Sequence, residues 1–394
     1  MTRCGTPHDD HARLAQHETR RTRQHTPLHD LEEGPMSAAA QQAGQAGHAG
    51  QATIATVVSR AGGPLDGEGS LVDARIPAPA APTGHDLLVE VAAVSVNPVD
   101  VKVRASANPD GRDRVLGWDA AGTVLAVGED VTLFRPGDEV FYAGALDRPG
   151  SYASQQLVDE RIVGPKPATL GFADAAALPL TGITAWEALF DKLGLTADST
   201  GTLLVLGAAG GVGSILIQLA TALTGVTVIA TASRPESRAW AERLGAHVVV
   251  DHSAPDLDRR ILDVAPGGVD YVFTPQSRGR IPLFATVVRP FGEIVAIDDE
   301  RDLDIMALKD RSLSWHWEFM FARARHGYDL IAQHTLLARI ARLVDAGRLR
   351  TTRTRTLTPL DAASLREAHR AVESGHMVGK VVVAEADDSP HAPA

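Results

Sequence analysis

The stretch Thr202-Leu-Leu-Val-Leu-Gly-Ala-Ala-Gly-Gly-Val-Gly-Ser-Ile-Leu-Ile-Gln-Leu-Ala220 decides the fold. Thr202–Leu206 is an apolar run of the kind needed by a strand covered on both faces. It runs directly into Gly207-Ala-Ala-Gly-Gly-Val-Gly213, and Ser214 opens an apolar helix to Leu223. Strand, glycine turn and helix in that order make the phosphate seat of a dinucleotide site. Gly210 lets the backbone approach a pyrophosphate, and Gly213 lets the helix pack closely on the strand. The helix start supplies free N–H groups and a positive partial charge. Ala208 stands where the first glycine of the usual fingerprint sits. The candidate phosphate-binding residues are therefore Ala208, Gly210, Gly211, Val212 and Gly213.

The next strand, Val226–Ala230, should end beside the adenosine ribose. A site for NAD places Asp or Glu there, about 20 residues past the loop. Here Ala232 is followed by Ser233, Arg234 and, further on, Arg238. A carboxylate would repel a 2′-phosphate, whereas a guanidinium pairs with it. Ser233, Arg234 and Arg238 thus point to NADPH.

Working outward, apolar strand-like runs alternate with helical stretches. The strands are Thr227–Ala230, Val248–Val250, Tyr271–Phe273 and Gly292–Ile297, and Glu236–Leu244 is one of the helices. Phe172–Leu178 and Thr184–Lys192 read as helices before the loop, and Leu336–Ala346 and Leu360–Ser374 as amphipathic helices after it. The alternation predicts a doubly wound parallel sheet. Upstream, short β-rich runs are separated by turn signals such as Arg135-Pro-Gly-Asp138. They are Thr53–Val58, Leu87–Val96, Gly122–Val127, Glu139–Tyr142 and Ser154–Val158, and they predict a mostly-β domain. The chain's last predicted strand is Lys380–Val383.

Residues 1–51 have almost no apolar periodicity and contain the run Gln41-Gln-Ala-Gly-Gln-Ala-Gly-His-Ala-Gly50. Such composition cannot bury enough apolar surface to offset ordering entropy, so an unfolded tail is expected. The six histidines among the first 50 residues lack a compact ligand spacing. The 394-residue chain carries a formal net charge of −11, which disfavours nucleic acid and anionic membranes as partners. Its one cysteine, Cys4, excludes an internal disulfide framework and a cysteine-rich zinc site. No secretory signal, transit peptide or stretch of about 18 apolar residues is present, so a cytoplasmic protein is expected.

Several further motifs stand in register: Ser95-Val-Asn-Pro-Val-Asp100, Gly117-Trp-Asp-Ala-Ala-Gly122, Phe134-Arg-Pro-Gly-Asp-Glu-Val140, Ala177-Leu-Pro-Leu-Thr-Gly-Ile-Thr-Ala-Trp186 and Phe291-Gly-Glu-Ile-Val295. With the glycine loop, they make residues 53–385 resemble the medium-chain dehydrogenase/reductase superfamily, in its quinone oxidoreductase branch. The resemblance is to the zinc-type alcohol dehydrogenase-like subgroup. It implies an α/β protein with a GroES-like β-barrel catalytic domain plus a Rossmann doubly wound parallel sheet. The expected division is a tail at 1–51, the catalytic domain at 52–170, the NADPH-binding domain at 171–325, a return to the catalytic domain at 326–385, and a tail at 386–394. The resemblance also implies a homodimer, with a sheet extended through strands near Gly292–Ile297.

Zinc-dependent relatives hold a catalytic metal with a cysteine, a histidine and a further cysteine or acid. The matching positions here are Asn97, Trp118 and about Ala177, and the cysteine-rich structural lobe has no counterpart. A catalytic zinc needs about three protein ligands, so no zinc is expected. Asp100 and Asp119 read as remnants that cap turns or pair with an arginine. Without a Lewis acid, the accessible substrates are quinones and conjugated enones, whose charge delocalises as hydride arrives. Asn97 matches a polar position near the nicotinamide and can hydrogen-bond a substrate carbonyl, or else only shape the turn before Pro98. Tyr142 can donate to a developing oxyanion, and Thr181 matches a family threonine beside the nicotinamide ring. The aromatic run Trp315–Phe321 reads as pocket, dimer contact or core. The leading reading is an NADPH-dependent quinone or enone reductase. The alternatives are a zinc-type alcohol dehydrogenase and an NADPH-binding redox sensor with weak catalysis.

Overall fold

The structure is a computed structural model, and it describes residues 52–60, 62–106 and 111–385. The expected tails, 1–51 and 386–394, and part of the 105–114 loop lie outside the described residues. The chain begins with β1 (Thr53–Ser59), β2 (Val72–Pro77), β3 (Asp86–Ser95), α1 (Pro98–Ala105) and β4 (Arg114–Val115). It continues through β5 (Ala120–Val127), β6 (Glu139–Tyr142), β7 (Gln155–Asp159) and β8 (Val163–Pro165). Helices α2 (Phe172–Ala176) and α3 (Pro179–Trp186) follow, and α3 runs on as a wide π-helical turn over Glu187–Lys192.

The alternating part is β9 (Thr202–Val205), α4 (Gly211–Leu223), β10 (Thr227–Thr231), α5 (Pro235–Arg243), β11 (Val248–Val250), α6 (Leu257–Val264), β12 (Val269–Thr274), α7 (Ile281–Val287), β13 (Val288–Ala296) and β14 (Ser314–Trp317). The chain closes with α8 (Ala322–His326), α9 (Ile331–Asp345), β15 (Arg353–Leu357), α10 (Ala362–Glu373) and β16 (Lys380–Ala384).

Strands β9 to β14 form one six-stranded sheet in the order β11-β10-β9-β12-β13-β14, and every pair in it is parallel. Leu203, Leu204, Val205, Val228, Ile229 and Ala230 are fully buried, as helices on both faces require. The chain steps outward from β9 to β10 and β11, then crosses back to β12. The crevice at the carboxyl ends of β9 and β12 is thus the topological switch point, where ligands of such sheets bind. A seven-stranded sheet runs β15-β16-β3-β5-β6-β8, with β7 also on β3, and a small sheet runs β2-β1-β4. The last strand, β16, pairs antiparallel with β3, so the carboxyl-terminal segment completes the first β body. The expected α/β architecture is the one observed. No described helix is long and apolar enough to cross a membrane.

Besides elements the sequence reading did not contain, such as β2, β15 and α6, two differences bear on the candidate site and the sheet edge. The aromatic run hides a strand: β14 takes Ser314–Trp317, and it pairs with β13. Strand β13, which contains most of Gly292–Ile297, is therefore flanked by β12 on one side and β14 on the other. A sheet cannot extend through it, and the edge strand on that side is β14. Asn97 also does more than shape a turn: it is the N-cap of α1, and Pro98 takes the first helical position.

Packing of β3 on β5 is tight enough to demand glycine at one position. A methyl group at Gly122 would overlap the carbonyl oxygen of Glu90 on the neighbouring strand. Gly122→Ala should therefore lower stability by about 2 kcal/mol or more, read by denaturant unfolding. A midpoint equal to that of the parent would show that the two strands separate freely.

Candidate active site

The glycine loop connects β9 to α4. Gly207 has φ +61°, a left-handed backbone, and a methyl group there would come 2.8 Å from Pro275 Cγ. The residue that needs glycine for the tight turn is thus Gly207, one place before the position the fingerprint assigns. Ala208 has an ordinary backbone and is fully buried, which explains why alanine serves there. Gly210 is the N-cap of α4 and has no side chain to cap the first turn. A Cβ at Gly213 would lie 2.5 Å from the Gly207 oxygen and 2.8 Å from Ala208 Cα, so the helix can approach the strand only as glycine. The uncapped start of a 13-residue helix, with bare backbone in front of it, fits a pyrophosphate.

Past the end of β10, Arg234 occupies the N-cap position of α5 and donates through Nη2 to the His376 carbonyl at 2.7 Å. Arg238 reaches the carbonyls of Ala232 at 3.3 Å and Val249 at 3.0 Å, bridging the ends of β10 and β11. Ser233, just before Arg234, is partly buried. No carboxylate occupies residues 231–235.

Three elements meet at Gly211. A Cβ there would come 3.1 Å from Thr181 Cγ2 and 2.8 Å from Lys380 Cδ. Thr181 is buried in the first turn of α3, and its hydroxyl makes only long bonds, 3.4 Å to Ala177 O and 3.3 Å to Leu178 O. Lys380, at the start of β16, is 4% exposed. Its Nζ donates to Val96 O at 3.1 Å, to Asp119 Oδ2 at 3.1 Å and to Asn97 Oδ1. Three N–H groups therefore meet three acceptors.

Asn97 is equally committed. Its Nδ2 donates to Asp119 Oδ2 at 2.8 Å and to Ser95 O at 3.2 Å, so both amide hydrogens are used inside the protein. That geometry favours a positioning role over a direct bond to substrate. Asp119 pairs with a lysine, not an arginine, and its other oxygen accepts the Leu180 N–H at 2.8 Å, capping α3. Asp100 accepts the Asn97 N–H at 2.7 Å, capping α1. Burial pushes both carboxyls upward, against the pull of Lys380, and Asp100 reaches about 7.

Tyr142 lies opposite Ala120 in the β5–β6 ladder, one residue from Asp119. It is 1% exposed, and its hydroxyl has no partner among the described residues. Burial pushes the phenol further upward, so it stays a donor. The aromatic run splits. Met320 and Phe321 are buried, and Phe321 meets Trp118 edge-on with centroids 6.4 Å apart. Trp317 and Phe319 are exposed.

The side chains at the family's zinc positions do not fit a metal. Asn97 is spent, Trp118 donates its indole N–H to Ala145 O at 3.1 Å, and Ala177 has no ligand atom. Among the described residues, no group of three or more His, Cys, Asp or Glu could hold an ion. Sequence reasoning missed Lys380, whose only local signal was a lone lysine opening the apolar run Val381-Val-Val383.

Comparison with known proteins agrees with this architecture. An alcohol dehydrogenase GroES-like domain model matches residues 83–179, and a zinc-binding dehydrogenase model matches residues 244–383. A zinc-type alcohol dehydrogenase-like protein of Staphylococcus aureus (strain MSSA476) is 42% identical over 311 residues, 77% of this chain and 91% of that protein. A solved structure from Rhizobium etli CFN 42, described as a zinc-dependent alcohol dehydrogenase, is 50% identical, with TM-score 0.81 over 85% of this chain and 98% of that one. A 2-methylene-furan-3-one reductase of Solanum lycopersicum is 36% identical over 220 residues, 54% of each chain. The fold and site define a nicotinamide-dependent oxidoreductase. The chain belongs to the medium-chain dehydrogenase/reductase superfamily, among its zinc-type alcohol dehydrogenase-like proteins.

Removing Lys380 alone would leave buried Asp119 and Asn97 without their cation. Lys380→Met should cost about 3–5 kcal/mol, and Lys380→Met with Asp119→Asn should recover part of that loss. Equal stabilities for the single and double variants in urea unfolding would show that the pair is uncoupled.

Proposed function

We propose that this chain is an NADPH-dependent reductase that delivers hydride to quinones or conjugated enones without a catalytic metal. The observation that carries the reading is Lys380, whose ammonium is seated on Asn97 and Asp119 and whose aliphatic stem lies beside Gly211 of the glycine loop. It puts a fixed cation where the residues match the family's metal positions.

The bound cofactor supplies the hydride. Gly207, Ala208, Gly210, Gly211, Val212 and Gly213 leave backbone open for its phosphates, and Ser233 and Arg234 meet the 2′-phosphate. Arg238 adds charge while its guanidinium ties β10 to β11. Thr181 and Lys380 line the nicotinamide end beside Gly211. Asn97 orients Lys380 and Asp119. The unpartnered Tyr142 hydroxyl is the group with a hydrogen to spare for a substrate oxygen as negative charge builds there. The tomato relative's name describes reduction of an exocyclic enone, the class of acceptor this chemistry suits. A homodimer joined across the free edge of β14, with Trp317 and Phe319 covered, completes the reading.

The test is NADPH oxidation with phenanthrenequinone as acceptor in the presence of a chelator, with NADH as control. Turnover favouring NADPH and indifferent to chelator supports the reading. Activity that falls with chelator and returns with zinc overturns it. Arg234→Asp should raise the KM for NADPH about tenfold or more, a loss of about 1.4 kcal/mol, while leaving that for NADH unchanged or lower. Tyr142→Phe should lower kcat about tenfold with little change in cofactor affinity. Full activity in that variant would remove Tyr142 from the mechanism.

A further inference from the structure

Behind Asn97 and Lys380, the buried side chains continue as a hydrogen-bonded chain that the reaction as described does not use. The Tyr152 hydroxyl lies 3.1 Å from Asp100 Oδ1 and 3.1 Å from His369 Nε2. Asp100 comes from α1, Tyr152 from the segment before β7 and His369 from α10, and all three are fully buried. A tyrosine hydroxyl has one hydrogen. With Asp100 ionised, Tyr152 donates to it and must accept from Nε2–H of His369. Nδ1 is then an acceptor, and it has no partner among the described residues. The donors Nε and Nη1 of Arg104, the cation whose field reaches the imidazole, also have no partner among the described residues. Arg104 also pairs through Nη2 with Glu373, one turn further along α10, whose side chain is 32% exposed.

We propose that His369, Tyr152 and Asp100 form a proton relay between the α1–α10 seam and the carboxylates that hold Lys380. A proton from water binds Nδ1 of His369. The Nε2 proton passes to the Tyr152 oxygen, and the Tyr152 hydroxyl proton passes to Asp100 Oδ1. No electrons move, and the net change is one proton gained by Asp100, which turns from anion to acid. The relay reverses by the same steps.

The groups facing Asp100 define what this does. Lys380 from β16 and Asp119 from the start of β5 act on it through space, Tyr152 and the Asn97 N–H bond it directly, and His369 and Arg104 lie beyond Tyr152. With Asp100 ionised, Lys380 faces two carboxylates. With Asp100 neutral it faces only Asp119. Burial pushes Asp100 to about 7, so both states are populated at neutral pH. Burial pushes His369 down to about 3, so the imidazole passes protons without storing them. The relay rests on the reductase reading for its use, because each hydride accepted by a quinone or enone calls for one proton.

The first test needs no cofactor. Infrared titration of the full-length apoprotein should show a buried carboxylic-acid band that disappears as pH rises through about 7. Asp100→Asn should abolish the band. Tyr152→Phe should move its midpoint upward, because Asp100 loses a donor that favours the anion. Nitrogen-15 NMR should place the single imidazole proton of His369 on Nε2 above that midpoint. In turnover, Tyr152→Phe should lower kcat at least about tenfold with KM for NADPH unchanged, and should shift the pH profile in the same direction as the band. A band that does not titrate, or a proton fixed on Nδ1 at all pH values, overturns the relay. If no acceptor is reduced by the parent protein, the reductase reading fails, and the infrared and NMR results still decide the relay. Should Tyr152→Phe not fold, the parent titration and Asp100→Asn suffice.

Discussion

The cleft depends on one buried ammonium. Taking a lysine out of water costs several kcal/mol unless every N–H finds an acceptor and a counter-charge stands near. Lys380 meets both conditions with Val96 O, Asn97 Oδ1 and Asp119 Oδ2. Those acceptors lie more than 260 residues away in sequence, so satisfying the charge requires β16 to return against β3 and the chain entering β5 to bring Asp119 inward. Asp119 then spends its second oxygen on the first turn of α3, which sets Thr181 against Gly211. The position of the phosphate loop relative to the first β body thus follows from the need to neutralise one cation. The adjoining Gly379 strengthens the tie, since its N–H donates to Ala209 O at 2.8 Å.

The same saturation separates roles that residue type alone would merge. A lysine, an asparagine, a tyrosine and a threonine all look like donors by residue type. Counting hydrogens distinguishes them. Lys380 and Asn97 have none left over, Thr181 holds its hydrogen only loosely, and Tyr142 has one with no acceptor. An unmet donor in a dry site costs stability in the resting protein, and it becomes an asset when an oxygen arrives that can use it.

What could be read from sequence was local. The βαβ order around Thr202–Ala220 announces itself through adjacent residues, and the buried strands through unbroken apolar runs. The positions of β1, β3, β5 to β7, β9 to β13 and β16 followed from the same periodicities, whereas β2, β4, β8, β15 and the helices α1, α6, α7 and α8 did not. Gly207 escaped because motif counting assigns the first glycine by spacing, whereas the backbone assigns it by φ. Strand β14 escaped because Trp-His-Trp reads equally as core, contact or pocket, and only its ladder to β13 decides. Lys380, the spent amide of Asn97 and the Asp100–Tyr152–His369 chain escaped for one reason. Apart from the Asn97 bond to Ser95 O two residues back, their partners are tens to hundreds of residues away, so no short window of sequence contains both ends of those bonds.

The substrate class under the proposed reading follows from how much positive charge the cleft can still offer. A zinc ion with an open position presents unneutralised charge to a single oxygen, which suits an alkoxide that carries its charge in one place. Lys380 offers much less, because Asp119 neutralises it and two further oxygens occupy its remaining hydrogens. Hydride transfer to an isolated carbonyl would leave a full charge on one oxygen with little to meet it. A quinone or enone spreads that charge over a conjugated system, so a single phenolic hydrogen bond and a balanced ion pair nearby are enough. The fully coordinated lysine therefore selects for acceptors that carry part of their own electrophilic assistance.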